Sequence, residues 1–368
     1  MACRQSALIQ GPGVQPFTYN ANPARILFGA GRLADLGAEL ERLGAKRALI
    51  ITTPHQRAAG AALVAQLGPL ACAVFDGATM HTPTDVTATA LVVLQEKQCD
   101  ALVAIGGGST IGLAKALALR TGLPHIAIPT TYAGSEVTPI LGETADGVKK
   151  TQRSSSLLPQ VVIYDVDQTL TLPPAMSACS GLNAIAHAAE ALYSRDANPI
   201  ISLMAEEGIA ALARSLPAIV KNPSDIDARS DAQYGAWLCG TCLGTVGMAL
   251  HHKLCHVLGG SFDLPHAETH AIVLPHAIAY NSATSPEAMA RLGRALGGSS
   301  EPWVHVHEML GRLGLSASLR DIGMTEQGLQ HALDLVLSDG YSNPRAMEEE
   351  PLRNLLRRAF EGTAPRLD

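Results

Sequence analysis

Charge is scarce in this chain: Asp, Glu, Lys and Arg make up 16% of its 368 residues, against 47% hydrophobic residues. That balance excludes a disordered polyelectrolyte and supplies material for well-buried cores. Positive charge is the minority, 27 Lys and Arg against 33 Asp and Glu, for a net charge of −6 and a pI near 6.1. The basic field that holds nucleic acid or anionic membranes is therefore missing, and a small-molecule partner is favoured. No stretch reaches the roughly 18 uninterrupted apolar residues of a membrane span, and the opening residues lack the apolar run of a signal peptide. Seven cysteines are scattered at positions 3, 72, 99, 179, 239, 242 and 255, without a disulfide framework. Reduced, mostly buried thiols in a cytoplasm are the expectation. Cys239-x2-Cys242 has no second pair to complete a zinc site and reads as core packing.

The chain is long for one hydrophobic core, so two domains are expected. Short apolar runs at 25–28, 47–52, 72–75, 101–105, 125–128 and 161–164 alternate with helical patterns at 33–43, 58–67, 86–97 and 111–119. Such alternation implies βαβ units and a parallel sheet covered on both faces. From Leu172-Pro173-Pro174 onward the strand runs disappear. Helical patterns take over at 177–193, 199–216, 231–249, 271–281, 286–296 and 302–313, broken by Gly, Pro and Asn. An α/β domain over residues 1–172 and an all-helical domain over 173–368 follow, with no repeat or linker, so a tight shared cleft is expected.

Glycines mark where the first domain works. Gly106-Gly107-Gly108-Ser109-Thr110 sits between a strand and a helix, where a backbone without side chains approaches a pyrophosphate and the helix N-terminus offers amides. It departs from Gly-x-Gly-x-x-Gly, because Gly112 falls one place too late, and alone it also fits a simple tight connection. The next strand end adds Thr130, Thr131, Ser135 and Thr138, residues that cap helices and turns but also ring the carboxyl ends where open sheets bind ligands. Two such loops on neighbouring strands favour a dinucleotide. Thr52-Thr53-Pro54 lacks the carboxylate that selects an unphosphorylated ribose, so NADH and NADPH are both expected to serve.

The second domain concentrates histidine. Five of thirteen lie in His251-His252-Lys253-Leu254-Cys255-His256 and Pro265-His266-Ala267-Glu268-Thr269-His270. In a helix over 247–258, His252 and His256 share a face one turn apart; Gly259 and Gly260 are expected to end it, and Pro265 to turn His266 back. Asn183 and His187 repeat the four-residue spacing. A lone histidine on an apolar helix is usually a core residue, but convergent pairs suit a divalent cation or a proton-donating pocket equally well. Near the end, Tyr341-Ser342-Asn343-Pro344-Arg345 places a phenol and a guanidinium where they reach a carboxylate, or simply cap a helix junction.

Gly106-Gly107-Gly108-Ser109, Pro129-Thr130-Thr131, Asn183-x3-His187-x2-Glu190 and His252-x3-His256 with Pro265-His266 together resemble the iron-containing alcohol dehydrogenase superfamily over nearly the whole chain. Within it, Tyr164-Asp165, the 180–187 and 251–256 segments and Tyr341-x-Asn343-Pro344-Arg345 resemble its maleylacetate reductase branch, which reduces maleylacetate to 3-oxoadipate in aromatic degradation. The resemblance implies a dinucleotide-binding domain followed by a helical catalytic domain, a cleft active site and a homodimer. It implies cofactor contacts at Gly107, Gly108, Ser109, Thr130, Thr131, Ser135 and Thr138, with Lys149 on the nicotinamide side. The superfamily's metal set of Asp and three His falls on Asn183, His187, His252 and His266, so its only anion is missing and no tightly held iron or zinc is expected. The reading then gives His256 the role of general acid, His266 that of main oxyanion donor beside His252, and assigns Lys253, Tyr341 and Arg345 to a dicarboxylate substrate. Rival readings are a metal-dependent alcohol dehydrogenase that uses the Asn183 amide oxygen, a nucleotide-binding protein without turnover, and a lyase using NAD transiently.

Overall fold

The structure, a computed structural model, describes residues 17–21, 24–338 and 340–367; the side chain of Lys149 and residue Cys3 lie outside the described set. Six strands form one sheet: β1 (Arg25–Gly29), β2 (Ala48–Ile51), β3 (Ala71–Phe75), β4 (Ala101–Gly106), β5 (His125–Pro129) and, after a hairpin, β8 (Val161–Asp165). Their order is β1-β8-β5-β4-β2-β3 and every neighbouring pair is parallel. Successive side chains of β2 and β4 enter opposite cores: Leu49, Ile51, Leu102 and Ala104 on one face, Ala48, Ile50, Ala101 and Val103 on the other. Helices α1 (Leu36–Arg42), α2 (Arg57–Leu67), α3 (Thr84–Glu96) and α4 (Gly108–Thr121) are the connections. The strand order reverses between β2 and β4, which puts the glycine loop after β4 at the crevice where doubly wound sheets bind their ligands.

The hairpin β6 (Ile140–Ala145) and β7 (Val148–Arg153) has no counterpart in the sequence reading. Its signal was Asp146-Gly147, both at positive φ (51° and 75°), the pair that a two-residue hairpin turn demands.

Nine helices make up the remainder of the described chain: α5 (Pro174–Tyr193), α6 (Pro199–Lys221), α7 (Ile226–Thr245), α8 (Leu250–Phe262), α9 (His266–Asn281), α10 (Pro286–Ala295), α11 (Pro302–Arg312), α12 (Gly328–Leu337) and α13 (Glu349–Glu361). Alanine-rich α5 is buried from Ser177 to its end and forms the axis of the helical core with α6, α7 and α9. Several helices depart from the expected bounds: α6 runs on to Lys221, α7 starts at Ile226, and α9 starts at His266 instead of 271, which places His266 and His270 one turn apart on it. α8 continues through Gly259 and Gly260, because Leu250, Leu254, Leu258 and Phe262 form an apolar stripe at helical spacing. Burying that stripe outweighs the roughly 1 kcal/mol that each glycine costs a helix. α7 stops at Thr245 instead of running to Ala249, and Gly247 there accepts from Ser194 Oγ and donates to Asp196 Oδ2. Among the described residues no helix is long and apolar enough to cross a membrane.

Candidate active site

The candidate cofactor cradle starts where β4 hands the chain to α4. Gly106 sits at φ 153°, and a Cβ there would collide with the Thr110 hydroxyl; one at Gly107 would come within 3.0 Å of Thr131. Gly108, exposed and with nothing within 4 Å of where its Cβ would stand, opens α4 beside half-buried Ser109. Thr130 is buried against this loop: its amide donates to Gly106 O at 3.1 Å and its hydroxyl receives Gln56 Nε2 at 3.4 Å. The expected residues Gly107, Gly108, Ser109, Thr130 and Thr131 are thereby brought together.

Ser135 and Thr138 are held by a residue the sequence reading passed over. The buried ammonium of Lys115 donates to Ser135 O (2.5 Å), Thr138 O (2.7 Å), Thr138 Oγ1 (3.0 Å) and Ile140 O (2.9 Å). Thr138 Oγ1 also donates to Ser135 O at 3.1 Å, so this hydroxyl shapes the segment instead of facing a ligand. Burial pushes Lys115 down to about 7 and the charge of Glu136 opposes it. Four oxygens within hydrogen-bond reach favour the ammonium. Glu136 is itself buried, pushed up by burial, and receives the Tyr164 hydroxyl at 2.8 Å. Gly134 then lies so close to Gly240 of α7 that neither has room for a Cβ, which seats the loop directly against the helical half. Lys149 lies on β7 opposite Thr144; its side chain is outside the described set.

The second half of the site grows from Glu190. Fully buried on α5, its carboxylate accepts the amides of Ala249 (2.8 Å) and His251 (2.7 Å), capping the first turn of α8 with the charge that a helix N-terminus favours. The Ala249 amide shares its oxygen, Oε2, with His252 Nδ1 at 2.7 Å. An ionised carboxylate only accepts, so His252 carries its proton on Nδ1 and aims a bare Nε2 lone pair away from Glu190. The ring of His187 lies 5.1 Å from that of His252, and the ring of His270 is equally far on another side. Asn183 Oδ1, His187 Nδ1, His252 Nε2 and His270 Nε2 are all buried without a partner. Four such atoms gathered from three helices mark a place where a polar ligand completes the bonding.

His256 and His266 flank this cluster at its exposed side, the first with its ring 6.1 Å from His252, the second 4.3 Å from His270. Burial lowers the pKa of His187, His251 and His270 well below the ordinary imidazole range, and the neighbouring imidazoles add to it. The Lys253 ammonium lies 5.9 Å from the centre of the Tyr341 ring. Burial, then the charge of Glu190, pushes the Tyr341 phenol up to about 12. Asn343 fixes that loop: its side-chain amide pairs reciprocally with Asn281 (2.9 and 2.7 Å), and its oxygen receives the Leu250 amide at 3.3 Å. Arg345 turns elsewhere, stacking on Tyr280 with its guanidinium carbon 4.4 Å from the ring centre and donating to Tyr280 O at 3.3 Å. The sequence motifs contain Glu190, His251 and His270 but assign none of them a role, although His266-x3-His270 repeats the one-turn spacing.

A cation at Asn183, His187, His252 and His266 would meet an amide and three imidazoles, all neutral. The buried carboxylate of this cluster, Glu190, already has both oxygens engaged by two amides and His252. The orphaned Asn183 Oδ1 and His252 Nε2 offer lone pairs that a proton-bearing ligand group would satisfy, while the donor set lacks the anion that retains a hard divalent ion.

Comparison with known proteins agrees with this layout. The iron-containing alcohol dehydrogenase family model matches residues 23–166, and the model of that family's C-terminal part matches residues 177–360. A maleylacetate reductase from a Rhizobium species is 53% identical over 352 residues, 96% of this chain and 100% of its own. The crystal structure of maleylacetate reductase from Agrobacterium tumefaciens superposes with a TM-score of 0.93 at 54% identity, covering 95% of this chain and 100% of its own. An iron-containing alcohol dehydrogenase from Corynebacterium glutamicum follows at 0.90 and 39% identity, over 94% and 97% of the two chains. With both halves of the family matched in order along the chain, the chain belongs to the iron-containing alcohol dehydrogenase family.

Proposed function

We propose that the chain reduces the carbon–carbon double bond of maleylacetate with NADH or NADPH, giving 3-oxoadipate in the degradation of aromatic compounds. The observation that carries this reading is 53% identity along 96% of the chain to a maleylacetate reductase. The substrate is an enone with a carboxylate at each end. Hydride from the nicotinamide adds to the alkene carbon remote from the ketone, the π electrons move onto the ketone oxygen, and the enolate collapses by taking a proton at the carbon beside it. Imidazoles at the exposed side of the site supply hydrogen bonds where that negative charge develops, and exposed His256, in reach of solvent protons, serves as the general acid. His266 is the donor assigned beside it. Lys253 with Tyr341 is the pair placed to meet one carboxylate, whereas Arg345 must leave Tyr280 to meet the other.

The reading extends to a reaction that needs no metal, which rests on the neutral donor set at Asn183, His187, His252 and His266. It also extends to a homodimer in a reducing cytoplasm, in keeping with six free cysteines among the described residues. The test is to strip the protein with a strong chelator, verify metal content by elemental analysis, and follow NADH absorbance with maleylacetate. Full-rate loss of absorbance without metal supports the reading; no rate until iron, zinc or manganese is restored overturns its metal-free part. A metal-dependent alcohol dehydrogenase is the second reading, favoured by the unpartnered Asn183 Oδ1, and the same experiment with an alcohol and NAD judges it. An NADH-binding protein with no turnover on either substrate would fit the non-redox alternative.

A further inference from the structure

His251 and His270 form a buried pair that the mechanism above leaves unused. His251 Nε2 lies 3.0 Å from His270 Nδ1, and Cys255 Sγ approaches the same Nε2 at 3.7 Å. The pair's two remaining ring nitrogens, His251 Nδ1 and His270 Nε2, are both buried and without partners. Their surroundings differ. His270 Nε2 belongs to the cluster of unsatisfied atoms with Asn183, His187 and His252, and its ring stands 4.3 Å from that of His266. His251 Nδ1 belongs to a fully enclosed side chain on the α8 turn that Glu190 caps.

Two neutral imidazoles joined by one N–H···N bond have two arrangements. If His270 Nδ1–H donates, His251 must keep its proton on Nδ1, an N–H sealed away from any acceptor. If His251 Nε2–H donates, His251 is left with only a bare lone pair, and His270 carries its proton on Nε2. Orphaned donors are rarer in protein interiors than under-satisfied acceptors. Each arrangement leaves one N–H without a protein partner, but only the second leaves it on His270 Nε2, among the unsatisfied atoms of Asn183, His187 and His252 that a ligand would complete, and it is favoured on that ground.

We propose that His270 is the hydrogen-bond donor to the substrate's ketone oxygen as the enolate forms, and that His251 is a positioning residue that holds His270 in the Nε2–H tautomer. This rests on the reductase reading given above and moves the oxyanion role from exposed His266 to an enclosed imidazole. The electron pair displaced by hydride arrives on the ketone oxygen, His270 stabilises it without giving up its proton, and the proton that completes the reduction goes to carbon. A fixed donor in a closed site needs no reorganisation as charge develops, which is where such donors act most strongly.

Two measurements test it. In enzyme labelled with 15N-histidine, two-bond 1H–15N correlations show which nitrogen of each ring is protonated, with the His270 signals identified by their loss in His270→Gln. Protonated Nε2 and bare Nδ1 are expected; a His270 proton on Nδ1 overturns the proposal. In kinetics, His270→Phe is expected to lower kcat about a hundredfold with the Kd for NADH unchanged, and His270→Gln, which keeps an amide donor near Nε2, to recover at least about tenfold of that. His251→Phe should lower kcat about tenfold and add nothing in the His270→Phe background, the non-additivity expected of residues that act through one hydrogen bond. A His270→Phe kcat within threefold of wild type, or additive losses, overturns the assignment. If wild-type enzyme shows no turnover of maleylacetate, the reductase reading fails, and the tautomer, which needs no substrate, still decides whether His270 is a donor.

Discussion

Glu190 Oε2 accepts the His252 Nδ1–H at 2.7 Å while its two oxygens also receive the amides of Ala249 and His251, so one carboxylate caps α8 and fixes the tautomer of the histidine at the centre of the site. Glu190→Gln keeps the shape but turns an NH2 group toward one of three donors. The expected result is a kcat lower by about 10- to 100-fold and a loss of about 1–3 kcal/mol of stability, read by steady-state kinetics and urea unfolding. Unchanged kinetics would mean that the orientation of His252 does not depend on this carboxylate.

Lys115→Met removes a cation that holds four oxygens of the Ser135–Ile140 turn. Those oxygens lie in a closed interior and find no replacement donor, so a loss of about 3 kcal/mol is expected. Because the turn continues the loop carrying Thr130 and Thr131, the KM for NADH should rise about tenfold or more while kcat changes less. Equal falls in kcat at saturating NADH would place Lys115 in the chemistry instead of the cradle.

Much of this was legible in sequence. Apolar runs alternating with helical spacing announce a parallel sheet, and the glycines after β4 mark its crevice, because both signals are local. The β6–β7 hairpin and α13 were missed despite local signals, Asp146-Gly147 in one and Leu352, Leu355, Leu356 and Phe360 at helical spacing in the other. What sequence could not supply is direction across helices. His251 and His252 are adjacent, and only the crossing of α8 with α5 and α9 turns one ring toward His270 and the other onto Glu190. The same holds for Arg345, whose stacking on Tyr280 depends on where α9 ends.

Acid should destabilise the fold early. His125 is pushed down to about 3 by burial and then by the charge of Lys115, with the Leu157 backbone opposing; His276 falls to about 3 through burial, then His307 and Arg358. In the unfolded chain both titrate near 6.5, so between pH 6.5 and about 3 the unfolded state binds protons that the folded state refuses. Stability therefore falls with falling pH, by about 1.4 kcal/mol per pH unit for each histidine. Urea midpoints at pH 7 and pH 5 measure the slope, and His276→Gln should remove one histidine's share; a slope unaffected by that substitution would assign the acid sensitivity elsewhere.

Asn183 is 4% exposed, its Oδ1 has no partner, and His187 follows one turn later on the same helix. Asn183→Asp would put an anion among the imidazoles at almost constant volume. Without metal, that buried charge must be desolvated or neutralised by a proton, so the variant should melt below wild type. With Zn2+ the carboxylate gains a counter-charge and the set becomes one anion with three imidazoles, so zinc should raise the Tm of the variant by several degrees more than that of wild type. Thermal melts of both proteins, chelated and then titrated with zinc, give the comparison without reference to catalysis. A wild-type protein that gains as much from zinc as the variant would mean that the neutral donors already retain a cation, and that the missing carboxylate is made good from farther out, by Glu190 acting through His252.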